Sequence, residues 1–290
     1  MTELTFPGLY HEADSASNRQ QKLFLFIIRA EFAALFVASI LTINIVAAAW
    51  YIIVYGLVLA AATGRLIFRS TAKPEQSWYQ ARALAESIKT TTWKYAMQSK
   101  PFDHHDKDEL DRASFRNFLK DLLNINQHVG NQFDGSSAAR DQVTDEMAAI
   151  RALETRDRLA LYMDQRVENQ RKWYAVKAAK NRQWARRAVI TLVTLYAIAF
   201  ASLLLRVANP EWSYSHPEPF ILVATALIGW MQIKKFNELA TAYNLTAIEI
   251  GILKSRAPEI TTDKSLSDFI DDAEEAFSRE HTQWLARRSN

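Results

Sequence analysis

From Phe32 to Gly64 the chain carries no charged side chain over 33 consecutive residues. As one straight helix that stretch would measure about 50 Å at about 1.5 Å per residue, whereas the hydrocarbon core of a bilayer is only about 30 Å thick. It is therefore expected to fold back on itself, with the polar step Thr42-Ile43-Asn44 as the bend. The first span then runs from about residue 23 to 41 and the second from about 45 to 68. Arg29 and Glu31 fall near the start of the first span, where an isolated charge in lipid is costly. They are expected to form a paired or snorkelling couple at the interface or within the bundle.

A second hairpin is expected further on. Ala188 to Leu205 is uncharged, the segment from Asn209 to Pro219 is rich in turn residues, and Phe220 to Ile233 is uncharged again. Spans of about 188–207 and 214–233 fit if Trp212 and Tyr214 lie at one interface and Lys234 and Lys235 snorkel at the other. A buried hairpin in a soluble bundle is the alternative. The overall totals, 49% hydrophobic and 23% charged, would suit a soluble chain equally well. What sets this chain apart is that its charges are segregated rather than spread over every helix.

Seven Gly and seven Pro in 290 residues are too few for a sandwich or barrel, so an all-α fold is expected. The absence of cysteine excludes disulfides, thiolate metal sites and cysteine nucleophiles. Met1 to Asn18 carries Glu3, Glu12 and Asp14 and lacks the basic start of a signal peptide. Lys and Arg cluster before the first and third spans and after the second and fourth, so both termini are expected in the cytoplasm of a cell (inner) membrane.

The order of elements predicts a short cytoplasmic segment over 1–21, a first unit over 22–135 and a second over 136–290. Pro74 suits a first helical position, and Asp106 with Glu109 reads as a capping pair for the next helix. From Ala138 no Gly or Pro occurs before Pro210, which predicts one long helix running into the third span. Span four is expected to continue as helix to Pro258, and a last helix to begin near Ser265 with Asp268 completing its cap.

Between Asn169 and Pro210 there is no acidic residue. Arg171, Lys172, Lys177, Lys180, Arg182, Arg186 and Arg187 are interleaved there with Trp173 and Trp184. Beside a span, that composition points to anionic lipid, as do Lys234 and Lys235 after span four. A nucleic-acid groove has a similar composition, but the net charge of only +3 gives it no support. Nucleic acid is therefore not an expected partner.

The halves share a plan of basic approach, hairpin and amphipathic helix. The second half carries Tyr162-Met163-Asp164-Gln165-Arg166-Val167, Gln170-Arg171-Lys172-Trp173-Tyr174 and the run from Asp272 to Trp284; the first carries Trp78 to Ser87 and Thr92-Trp93-Lys94-Tyr95. On these residues the chain resembles the SLATT family, the SMODS- and SLOG-associating two-transmembrane effector domains, as two units in tandem. The resemblance implies a membrane effector of a prokaryotic anti-phage conflict system, forming a pore when a separate sensor or nucleotide signal triggers it. A non-conducting scaffold that recruits partners is the alternative reading.

No constellation supports an enzyme or a bound cofactor. Asp103-His104-His105-Asp106 reads as a solvated loop, with a metal site as the alternative, and no phosphate-binding loop or nucleophile elbow occurs. The polar residues within the spans include Ser39, Asn44, Thr191, Thr194, Ser202 and Thr225. Each either bonds its own helix backbone or lines a water-filled path. Four helices are too few to enclose such a path, so a pore requires a homo-oligomer.

If the uncharged stretches lie in lipid, the protein will sediment with membranes when detergent-free lysates are centrifuged at high speed. Recovery in the supernatant would remove the topology.

Overall fold

The computed structural model describes residues 3–41, 48–104, 107–137, 139–211 and 216–286. The expected bend at Thr42 and Asn44, the interface residues Trp212 and Tyr214, and His105 and Asp106 lie outside the described residues. Among the described residues the chain is helical and has no strand. Among the described residues three helical stretches are long and apolar enough to cross a membrane: Gly8–Leu41, Ala49–Ala96 and Thr155–Ala208. The helix for the fourth expected span, Glu218–Lys234, has 17 residues and measures about 25 Å.

In chain order the main helices are α1 (Gly8–Leu41), α2 (Ala49–Ala72), α3 (Pro74–Ala96), α4 (Asp108–Ile125), α5 (Gln127–Gly130), α6 (Asp145–Arg151), α7 (Thr155–Tyr162), α8 (Asn169–Ala208), α9 (Glu218–Lys234), α10 (Phe236–Ser255) and α11 (Asp263–Ala286). A six-residue π-helical turn, Met163–Glu168, joins α7 to α8. The chain forms two compact units. Unit one comprises residues 1–21, 75–176 and 242–290, and unit two comprises 22–74 and 177–241.

Unit one holds a conventional apolar core. Ala81, Leu84, Ala85, Ile88 and Trp93 of α3 meet Leu266, Phe269, Ile270 and Ala273 of α11, with Phe115, Met147, Ile150 and Tyr162 filling the space between. Both stripes recur at three- and four-residue steps, as one buried helix face requires. Gly8, where α1 begins, is set by close approach: a Cβ there would lie 2.6 Å from the Ser137 carbonyl oxygen and 2.8 Å from Gln142 Nε2.

Unit two is built differently. Its buried positions include Ala38, Ala185, Ala188, Ala199 and Ala224, while Ile52, Val193 and Phe200 are each more than 60% exposed. Small residues at helix contacts and large apolar residues facing outward suit a lipid solvent, and a water-facing surface of that kind would be an aggregation liability. α2 ends at Lys73, which adopts a left-handed conformation (φ 42°), and Pro74 opens α3 as its first residue. Lys235 breaks the chain in the same way between α9 and α10 (φ 48°).

Three expectations are corrected. The helix expected to run unbroken from Ala138 starts only at Thr155. Before it, the Thr144 hydroxyl accepts from the Met147 amide at 3.2 Å and caps the short α6, and the chain turns over Ala152 to Glu154. No Gly or Pro marks that break; the side-chain cap and the tertiary bonds of Arg151 hold it. Span four does not continue as one helix to Pro258, because Lys235 interrupts it. Finally, α11 is capped by Thr262 and Ser265, which exchange bonds of 3.2 and 3.0 Å between side-chain oxygens and backbone amides. Asp268 instead pairs with Lys100 at 2.7 Å.

The start of α8 is tied to the end of α10 through Glu168. It accepts from Arg171 Nη2 at 2.7 Å and from Lys254 Nζ at 2.8 Å. The Arg171 bonds, then those of Lys254, hold its carboxyl down to about 2. A depressed folded-state pKa contributes stability above the ordinary value of 4.5, and that stability fades as pH falls toward about 2. Glu168→Gln is thus expected to lower Tm at pH 7, with the gap from wild type shrinking steadily below about pH 4.5. A gap independent of pH would contradict the assignment.

Candidate functional site

In unit two the expected hydroxyls bond their own helices. Thr191 donates to the Arg187 carbonyl at 3.0 Å, Thr194 to Ile190 at 3.0 Å and Thr225 to Ile221 at 2.9 Å. Ser39 is buried and Ser202 half-buried, and both have partners. Asn44 lies outside the described residues.

Arg29 and Glu31 are two residues apart on α1, so their side chains point to different faces. Glu31 is 3.5 Å from Arg69 of α2 instead. The Arg29 guanidinium stacks over the Trp230 ring of α9 at 5.8 Å, and Lys234 reaches the same ring at 5.5 Å. Of the expected lipid-facing residues on α8, Lys172, Trp173, Lys177, Lys180, Arg182, Trp184, Arg186 and Arg187 lie on exposed positions, with Arg187 5.5 Å over Trp184. Arg171 and Lys172 both face Glu168, and Lys235 faces Glu238.

Unit one contains a set of groups that sequence reasoning missed. Arg151, Arg158 and Arg166 recur at steps of seven and eight residues, and each is at least 96% buried. Burying a guanidinium is costly unless it is paired, and each has its own acceptors, with Arg158 Nε and Arg166 Nη1 left as buried nitrogens without a hydrogen bond among the described residues. Arg151 donates through Nε to Asp108 at 2.7 Å, through Nη1 to the carbonyls of Tyr95 (2.8 Å) and Phe102 (3.0 Å), and through Nη2 to the fully buried Asp111. His104 Nδ1 lies 2.8 Å from the other Asp111 oxygen. Arg158 donates to the Met97 carbonyl at 2.8 Å and to Asp263, which also accepts from Thr155. Burial holds the Arg158 pKa below its ordinary value.

Arg166 is the most enclosed of the three. It sits in the π-turn and donates to Glu274 of α11 through Nε (2.8 Å) and Nη2 (2.6 Å). Tyr162 donates to the same carboxylate at 2.8 Å and Thr90 of α3 at 2.9 Å. The guanidinium also lies 4.9 Å over the Phe277 ring. Burial opposes its charge, but the attraction of Glu274 outweighs that and raises its pKa, while burial drives the Tyr162 phenol well above its ordinary value. The arrangement ties together three helical elements.

The only sequence signal for this lattice is the seven- and eight-residue recurrence of Arg along an apolar stripe, and the partner acids lie up to 108 residues away in the chain. Among the described residues no group of three or more His, Asp or Glu is placed to hold a metal ion.

Residues 7–159 match the family model for SMODS and SLOG-associating 2TM effector domain 3, and residues 162–284 match that for domain 1. The two matches meet at α7, between Arg158 and Arg166. No curated protein and no solved structure matches the chain.

Removing one partner of a buried pair is expected to cost about 3–5 kcal/mol. Glu274→Leu should lower unfolding stability by that amount in chemical denaturation of the detergent-solubilised chain. Adding Arg166→Met to it should restore a large part, because the stranded cation is gone. Additive losses in the double variant would show that the two groups do not act as a pair.

Proposed function

Because the chain belongs to the SLATT family, as two of its effector domains in tandem, we propose that it is the membrane-permeabilising effector of a prokaryotic conflict system. In this reading both hairpins span the membrane, giving four spans, and several copies assemble into a pore in the inner membrane. The amino and carboxyl termini face the cytoplasm. There, unit one receives the trigger from a separately encoded sensor or from a nucleotide signal.

The observation that carries the reading is the match of both halves to two-transmembrane effector domains, joined to the outward-facing apolar surface of unit two. The short α9 supports a fourth span when Lys234 and Lys235 at its end snorkel toward the interface. Several copies are required because four helices fill their own interior with side chains. Assembly would turn the helix faces that carry Thr191, Thr194 or Thr225 toward the water-filled path, where each hydroxyl oxygen can still accept from water while donating to its own backbone.

A scaffold that recruits partners without conducting is the second reading. It is favoured by the fact that in a single copy those threonine hydroxyls are satisfied by their own backbones.

The readings separate on conductance. Purified protein reconstituted into dye-loaded liposomes is expected to release dye once candidate nucleotides or sensor proteins are added. Induced expression together with the trigger should collapse membrane potential and arrest growth. Intact liposomes and absence of single-channel current under every trigger would eliminate the pore and leave the scaffold.

A further inference from the structure

Unit two has far more cations than acids to pair with them. It carries thirteen Lys and Arg against four carboxylates, Glu31, Glu211, Glu218 and Glu238. Three of the four are engaged: Glu31 by Arg69, Glu218 by Arg206 and Glu238 by Lys235. Glu211 follows the end of α8. Among the described residues no carboxylate forms an ion pair with Arg29 or Lys234.

Even so, these two cations are held together. Arg29 of α1 and Lys234 of α9 both contact the Trp230 ring, at 5.8 and 5.5 Å. Lys234 is also within electrostatic reach of both Arg29 and Lys177 of α8. The ring they share is fixed in place by Phe32, whose ring meets it edge-on at 6.5 Å. Phe32 in turn packs on Gly229, where a Cβ would stand 3.3 Å from its ring edge. Two helices thus bring like charges to one anchored indole, and Lys177 of a third adds its charge within electrostatic reach of Lys234. Repulsion between Arg29 and Lys234, which no carboxylate among the described residues offsets, favours a bound anion.

We propose that Arg29 and Lys234 on the Trp230 ring, together with Lys177 of α8, form a site for the phosphate headgroup of an anionic lipid. Arg29 and Lys177 are exposed and Lys234 is half-buried, so a headgroup can reach all three. A guanidinium supplies paired N–H donors to phosphate oxygens, and an indole settles at headgroup depth. Basic pockets between membrane helices are well suited to such headgroups. The site rests on the membrane reading of unit two, and it requires no pore.

The test uses the full chain, purified and delipidated in detergent, and reads Tm without any leakage assay. Dioleoylphosphatidylglycerol, dioleoylphosphatidylcholine and inorganic phosphate are titrated separately. Phosphatidylglycerol alone should raise Tm saturably. Arg29→Gln with Lys234→Gln should weaken the apparent affinity by about 25-fold, at about fivefold per cation. Arg65→Gln with Lys73→Gln, which removes the same charge from exposed positions of unit two outside the cluster, should leave it nearly unchanged.

Equal weakening by the two double variants would reduce the effect to general surface charge and overturn the site. An equal response to phosphatidylcholine would overturn it as well, and a full response to inorganic phosphate would overturn the lipid assignment. Should the Arg29/Lys234 variant fail to fold, Lys177→Gln, at an exposed position, must show the fivefold loss, and an unchanged affinity there would end the proposal.

Discussion

The carboxylate of Glu274 is the point on which unit one turns. It has no contact with water and accepts four hydrogen bonds, two from Arg166 and one each from Tyr162 and Thr90. A buried carboxylate is tolerated only when its lone pairs are taken up. Satisfying this one fixes α3, the π-turn and α11 relative to one another. Around it α3 is tied to α11 again by Lys94 with Asp271, and the turn after α3 by Ser99 with the Ser267 carbonyl, while Arg158 binds Asp263 at the start of α11. The apolar core supplies most of the burial energy, and these polar ties select one arrangement of helices that apolar contact alone would leave loosely specified.

These ties run across the family domains. Thr90, Lys94, Ser99 and Arg158 lie within the first match, and Asp263, Ser267, Asp271 and Glu274 lie within the second. Each compact unit is likewise assembled from both: unit two takes residues 22–74 from the first domain and 177–241 from the second. The tandem is therefore folded crosswise. The helices of the two copies are shared out into one water-adapted core and one lipid-adapted bundle, and the seam between the copies passes through a helix.

Residue chemistry announces the lipid-adapted part clearly, because a water-soluble helix 33 residues long would need charges along its wet face, and this stretch has none. The likeness to the family is also legible, carried by Tyr162 to Val167 and by the run ending at Trp284. Less visible are features decided by partners distant in the chain. The break at Ala152 to Glu154 contains no Gly or Pro, because a threonine cap and an arginine with three sets of acceptors enforce it. Arg151, Arg158 and Arg166 carry only their spacing as a signal, since the acids that bind them lie far along the chain. Arg29 and Glu31 read as a couple from their closeness in sequence, but a helix turns them apart and Glu31 finds Arg69 on the neighbouring helix.

The crosswise folding bears on how such a gene could be rearranged. A chain divided between its two domains, near residue 160, would separate Arg158 from Asp263 and Thr90 from Glu274. Each piece would then be left with an open apolar face and a charge or hydroxyl bereft of its counterpart. Gene fission at that seam would be viable only if both products were synthesised together and found each other, so the two copies are bound to be inherited as an inseparable couple.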